Sequence, residues 1–175
     1  MPSNEKLAEL MLHIARACET DESFGLTKLF KILFFADFRA FATWGRSITG
    51  VDYLKLDKGP VPRPGFAVRD ELVRTGRAAE RVEQRFNYRQ KKLFALTEPD
   101  LSAFDGNEIA IVDDIVRTLW GKSARDVSDL SHQFSGWNLA KDRETIPYEV
   151  ACGADEEAEF SDEDIRWAQQ VASEL

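Results

Sequence analysis

The sequence has only two cysteines and two histidines in 175 residues, and neither pair lies close enough to build a metal site. His13 and His132 stand far apart, as do Cys18 and Cys152, so no Cys-x-x-Cys or His-x-x-x-His element exists. That spacing argues against zinc. The phosphate-cradling patterns G-x-x-x-x-G-K-[ST] and G-x-G-x-x-G are also missing, and no nucleotide or other cofactor is expected. Ser131 and His132 are adjacent, and neighbours on a helix point about 100 degrees apart, which is poor geometry for a base to take a serine proton. The longest apolar run, Ile32 to Ala36, is far short of the roughly 20 residues a membrane span needs. MPSNEKLAEL lacks the basic-then-apolar order of a signal peptide, so a cytoplasmic protein is expected, with both cysteines as free thiols. No repeat or low-complexity linker appears.

With 43% hydrophobic and 11% aromatic residues, the chain can bury one sizeable core and has no length for a second full domain. The expected organisation is a helical domain over residues 1–150 followed by an acidic segment over 151–175. The formal net charge is −8, which argues against bulk attraction to nucleic acid or anionic lipid. The charge is unevenly placed. Arg69 to Lys92 carries eight basic and four acidic residues, whereas Asp155 to Asp164, DEEAEFSDED, carries seven carboxylates and no cation. Such a run is expected to be solvated.

Apolar periodicity gives the elements. Leu7, Leu10, Met11, Ile14, Ala15 and Cys18 recur at helical spacing, which predicts an amphipathic helix over about 4–19. Between Leu26 and Trp44 the apolar positions cover more than one face, and six of the twelve phenylalanines fall in this stretch and its entrance. A helix apolar all round is central rather than superficial. Residues 46–58 mix β-formers with glycine and suit an extended or a helical piece, which Gly59-Pro60 must break. Further helices are predicted over 66–75 ended by Gly76, over 106–121, from the capping pair Ser123 and Asp126 to His132, and from Ser161 and Asp164 through Ala172. Residues 81–97 alternate and read as a β-hairpin with a basic tip. The fold class is therefore mainly α, of α+β type: a compact helical domain around a central apolar helix, with one small antiparallel β-hairpin.

Three features carry functional readings. Asp37 is a carboxylate in the middle of the apolar helix and must be paired, hydrogen-bonded or protonated there. Lys28, Arg39, His132 and the Trp137 indole are candidate partners. Asp37 is either a catalytic acid or base or a buried anchor, and the anchor is favoured because no motif places a second acid or a nucleophile beside it. Gly59 to Pro64, with three prolines, suits a polyproline ligand or a stiff turn at the edge of the core, and the turn is favoured. Arg85, Tyr88, Arg89, Lys91 and Lys92 form a basic and aromatic ribbon able to grip an acidic protein or nucleic acid, with an ordinary solvated edge as the alternative. A protein partner is favoured because the rest of the molecule repels phosphate.

The ordered set Leu26-Thr27-Lys28-Leu29, Phe34-Phe35-Ala36-Asp37, Trp44-Gly45, Ile48-Thr49-Gly50, Tyr53, Gly59-Pro60-Val61-Pro62, Ser131-His132, Trp137 and Ile146-Pro147-Tyr148 resembles the Panacea family of SocA-like antitoxins. The resemblance implies a non-enzymatic protein of bacteria, prophages and other mobile elements that neutralises a cognate toxin by direct binding. The implied partners are a toxin encoded by an adjacent gene and, for some members, a protease or chaperone that receives it. Asp37, Gly59, Pro60, His132 and Trp137 are its motif positions, with structural roles preferred. The chain departs from the pattern at Lys55-Leu56-Asp57-Lys58, where an aromatic and glycine turn is expected before Gly-Pro-Val. A nucleic-acid-binding regulator using the hairpin and a small enzyme centred on Asp37 are the competing readings.

Overall fold

With no helix breaker between Leu26 and Trp44, the chain coils into the long helix around which the rest assembles in this computed structural model, which describes residues 3–85 and 88–152. The order is α1 (Ser3–Ala17), α2 (Leu26–Trp44), β1 (Tyr53–Leu56), β2 (Gly59–Pro62), α3 (Gly65–Arg74), β3 (Ala78–Arg85), β4 (Tyr88–Ala95), α4 (Gly106–Leu119), α5 (Ala124–Gln133), the short α6 (Ser135–Leu139), β5 (Thr145–Ile146) and a 3-10 turn at Tyr148–Cys152. The described part of the molecule is mainly helical with small antiparallel sheets, as expected. No helix among the described residues is long and apolar enough to cross a membrane.

Helix α2 is central because its apolar residues have neighbours on every side. It packs on α1, α4, α5, β2 and the 3-10 turn, and buries Leu29, Phe30, Ile32, Leu33, Phe34 and Phe38 together with the polar Lys28, Lys31 and Asp37. Gly45, at φ +70°, ends it and returns its amide to Phe41 O. The amphipathic α1 adds Leu7, Leu10, Met11 and Ile14 to the same core. Both α4 and α5 start with reciprocal capping boxes, Asp105 with Glu108 and Ser123 with Asp126, which satisfy amides that the first turn leaves free.

A second sheet lies beyond the single ribbon that alternation revealed. Strand β1 pairs with β2 on one side and β5 on the other, with Tyr53 opposite both Pro62 and Ile146. Gly59-Pro60 thus continues the extended chain after a two-residue turn at Asp57-Lys58 instead of breaking it. Proline is tolerated because β2 is an edge strand, where a missing N–H costs no ladder bond. The other sheet is the expected hairpin, β3 on β4, running in register from Ala78↔Ala95 to Arg85↔Tyr88. Helix α6, strand β5 and the 3-10 turn are too short for periodicity to show. The acidic run and the helix expected through Ala172 lie outside the described residues.

Candidate functional site

Residues 46–52 fold back over the middle of α2, and this return loop supplies the partners that Asp37 requires. The carboxylate is 1% exposed. Its Oδ1 accepts the successive amides of Ile48 (2.9 Å) and Thr49 (2.8 Å), while Oδ2 accepts the Thr49 and Tyr53 hydroxyls, the latter at 2.8 Å. Burial pushes the Asp37 pKa up, and these four donors pull against it. Burial, and then the Asp37 charge, holds the Tyr53 phenol well above its ordinary range, so that group stays a donor. Around this hub Phe34, Phe38, Tyr53, Phe134 and Tyr148 pack edge-to-face or stacked, with Tyr148 donating to Val51 O at 2.7 Å.

The side chains expected beside Asp37 serve elsewhere. Lys28 is paired with Asp21 at 2.6 Å, Arg39 with Asp114, and His132 lies flat on Trp137 with ring centroids 4.5 Å apart. The correction has a physical reason. A carboxylate one turn or more inside a buried helix is reached most cheaply by backbone amides and hydroxyls of an adjacent loop, because cations bring their own desolvation cost.

The remaining motif positions converge around a residue that sequence reasoning did not single out, Lys31. It is 1% exposed, and its ammonium nitrogen donates to Pro60 O at 2.9 Å. Burial lowers its pKa to about 7. Gly59 lies against it at φ +99°, and a Cβ there would stand 2.6 Å from both Lys31 Nζ and Ser131 Oγ. Only glycine fits, for backbone angle and for space alike. His132 adds its ring, with Nε2 buried and without a hydrogen-bond partner, and burial followed by the Lys31 charge lowers its pKa. Trp137 is also held by Lys55, which donates to Trp137 O (2.6 Å) and Ala140 O (3.0 Å) and lies 4.8 Å from the indole centroid. The departure at Lys55 is therefore a cap on α6. Gly59, Pro60, His132 and Trp137 form one cluster on Lys31, and Asp37 belongs to another. A lysine between Phe30 and Ile32 with no acid within one helical turn was the available signal.

The hairpin divides by face. Antiparallel partners share a face, so Val82, Gln84, Arg89 and Lys91 point one way and Arg81, Glu83, Gln90 and Lys92 the other. Gln90 and Lys92 are buried against the α1–α2 connection: Gln90 donates to Phe24 O, and Lys92 to Glu19 O (2.8 Å) and Asp21 O (3.1 Å). Lys92, expected in a partner-binding ribbon, is only 4% exposed and anchors the hairpin to the body. Arg89 is exposed, and Lys91 is exposed with an ion pair to Glu80 at 3.0 Å, a carboxylate that Arg69 also uses. Arg85 and Tyr88 face each other in the register next to the tip, and their side chains lie outside the described residues. Among the described residues no group of histidine, cysteine and carboxylate side chains is arranged to hold a metal.

A family model described as antitoxin SocA-like, Panacea domain, matches residues 29–138. That range takes in both buried clusters and the whole hairpin. No curated protein and no solved structure gives a match.

Proposed function

Because the chain belongs to the SocA-like, Panacea-domain antitoxin family, we propose that it neutralises a cognate toxin by binding it directly, without turning over a substrate. The family match over residues 29–138 is the observation that carries this reading. The geometry gives it physical support. Asp37, the one carboxylate of α2, is saturated by two amides and two hydroxyls, an arrangement suited to holding a loop rather than accepting a substrate proton. The exposed hairpin face with Arg89 and Lys91 is the contact surface in this proposal. Gln90 and Lys92 hold that surface on the α1–α2 connection.

Co-expression with the product of the adjacent gene is the direct test. Growth is scored with and without this protein, and the two products are then co-purified. Rescue with a stable complex supports neutralisation by binding. Rescue without a complex, accompanied by a shortened toxin half-life, replaces it with delivery to a protease. Failure to rescue from a toxic neighbour overturns the proposal for that pair.

A further inference from the structure

The β3–β4 hairpin is a sheet of two strands, so among the described residues the outer edge of β3 has no strand beside it. Its loop has two residues, because Arg85 stands opposite Tyr88. Such a loop makes the flanking pair a hydrogen-bonded one, and bonded and non-bonded pairs then alternate down the ladder. Residues 85, 83, 81 and 79 therefore bond to β4, a pattern that the Leu96 N–H continues by donating to Arg77 O at 2.8 Å. Val82, between them, turns its N–H and C=O away from β4. It is 57% exposed, and Arg81 beside it is exposed as well.

An open edge accepts another strand, and natural edges are commonly blunted by charge. The charges on this edge alternate in sign. Arg81 lies over the Phe94 ring, 5.0 Å from its centroid, and has no carboxylate partner among the described residues, while Glu83 has no cation partner among them. Antiparallel pairing of this edge with the same edge of a second copy has three registers near its middle, because residues with outward backbone groups must meet each other. Centred on Arg81, the register sets Arg81 against Arg81; centred on Glu83, it sets Glu83 against Glu83. Like charges directly opposite are destabilising. Centred on Val82, it sets each Arg81 against the partner's Glu83 and Val82 against Val82. These Arg–Glu pairs fall at non-hydrogen-bonded positions, where the Cα atoms are about 4.5 Å apart and side chains come closest.

We propose that two copies of this chain associate through the β3 edge, antiparallel and centred on Val82, so that their hairpins join into one four-stranded sheet held by reciprocal Arg81–Glu83 pairs. The two-fold axis stands perpendicular to the sheet and closes the contact, which therefore does not propagate into a fibre. Both hairpins then present the face with Val82, Arg89 and Lys91 on the same side. One strand edge is a small interface, so the dimer is weak and concentration-dependent. The inference rests on the hairpin and is independent of the antitoxin reading.

Sedimentation equilibrium of the full-length protein from about 10 μM to about 1 mM tests the contact. A monomer–dimer equilibrium is expected. Arg81→Glu and Glu83→Arg each place two like-charged pairs beside the axis and should weaken the dimer roughly tenfold or more. An equimolar mixture of the two variants restores opposite charges at both positions, so a heterodimer is expected at concentrations where neither variant dimerises alone. Val82→Pro should abolish the dimer and keep the fold, because the N–H it removes points away from β4. Circular dichroism and the urea midpoint check the fold of each variant. A monomer over the whole range, a dimer that Arg81→Glu or Val82→Pro leaves unmoved, or a mixture that stays monomeric overturns the proposal. Growth rescue is scored separately, so a missing dimer leaves the antitoxin test intact.

Discussion

Asp37 and Lys31 lie six residues apart on α2, both 1% exposed, and their surroundings differ in one respect: four donors meet the carboxylate, while a single carbonyl meets the amine. Replacing Asp37 by Asn puts an amide N–H₂ where only acceptors fit, opposite N–H and O–H donors. Asp37→Asn is expected to lose about 2–4 kcal/mol of stability, read as a lower urea midpoint with unchanged slope. A variant as stable as the wild type would remove the anchor role. Lys31 gives a pH signature. Its folded pKa of about 7 lies below the ordinary lysine value of 10.5, so between these values the unfolded chain holds the extra proton. Stability from this group is full above about 10.5, declines as pH falls and is gone by about 7, with a limiting slope of roughly 1.4 kcal/mol per pH unit. Lys31→Met should flatten the difference in urea midpoint between pH 7 and pH 9.5, measured against wild type at each pH. Equal pH profiles would mean that Lys31 is charged in the folded protein at neutral pH.

At the scale of elements, the hairpin combines an inward face that stabilises with an outward face that does not, and substitutions should separate the two. Lys92→Ala deletes the donor to Glu19 O and one of the two donors to Asp21 O, which keeps the Phe24 N–H. It should cost about 1–3 kcal/mol and speed amide exchange across 19–24. Arg89→Ala, on the exposed face, should stay within about 0.5 kcal/mol of wild type. Equal costs at both positions would contradict the division of faces. This division also marks how far the sequence could be read. Alternation over 81–97 revealed the hairpin, and the phenylalanine density of 26–44 revealed the central helix. The capping pair at Ser123 revealed the start of α5. Alternation alone did not say which face meets the body, because Lys92 carries the same charge as the exposed Lys91, and burial by carbonyls of a distant loop has no local signal. The strand at Gly59–Pro62 was hidden for a similar reason: its prolines read as breakers until an edge position makes their missing N–H harmless. Of the functional residues, the motif positions were legible from the family pattern, while Lys31 was visible only as an isolated charge inside an apolar helix.

Over the whole molecule, the net charge of −8 and the locally positive 69–92 stretch act on different ligands. Phosphate approaching the hairpin is attracted at contact distance but repelled by the remaining chain, whose net charge is −12 once the local +4 is set apart. The Debye length of about 8 Å at physiological salt confines the hairpin's attraction to partners that touch it. A protein with an acidic, partly apolar patch can make that contact and bury Val82 as well, whereas a duplex offers evenly spaced charge and no apolar counterpart to Val82. The full-length protein is therefore expected to show no binding to a fluorescent random-sequence duplex by anisotropy at about 0.15 M salt. The double variant Arg89→Ala, Lys91→Ala should keep its urea midpoint while weakening the complex with the adjacent-gene product by about tenfold, the loss expected for two contact cations of modest worth each. Duplex affinity with a steep salt slope that disappears in the double variant would reverse the assignment and make the hairpin a nucleic-acid contact. An unchanged protein complex would move the toxin interface off this face.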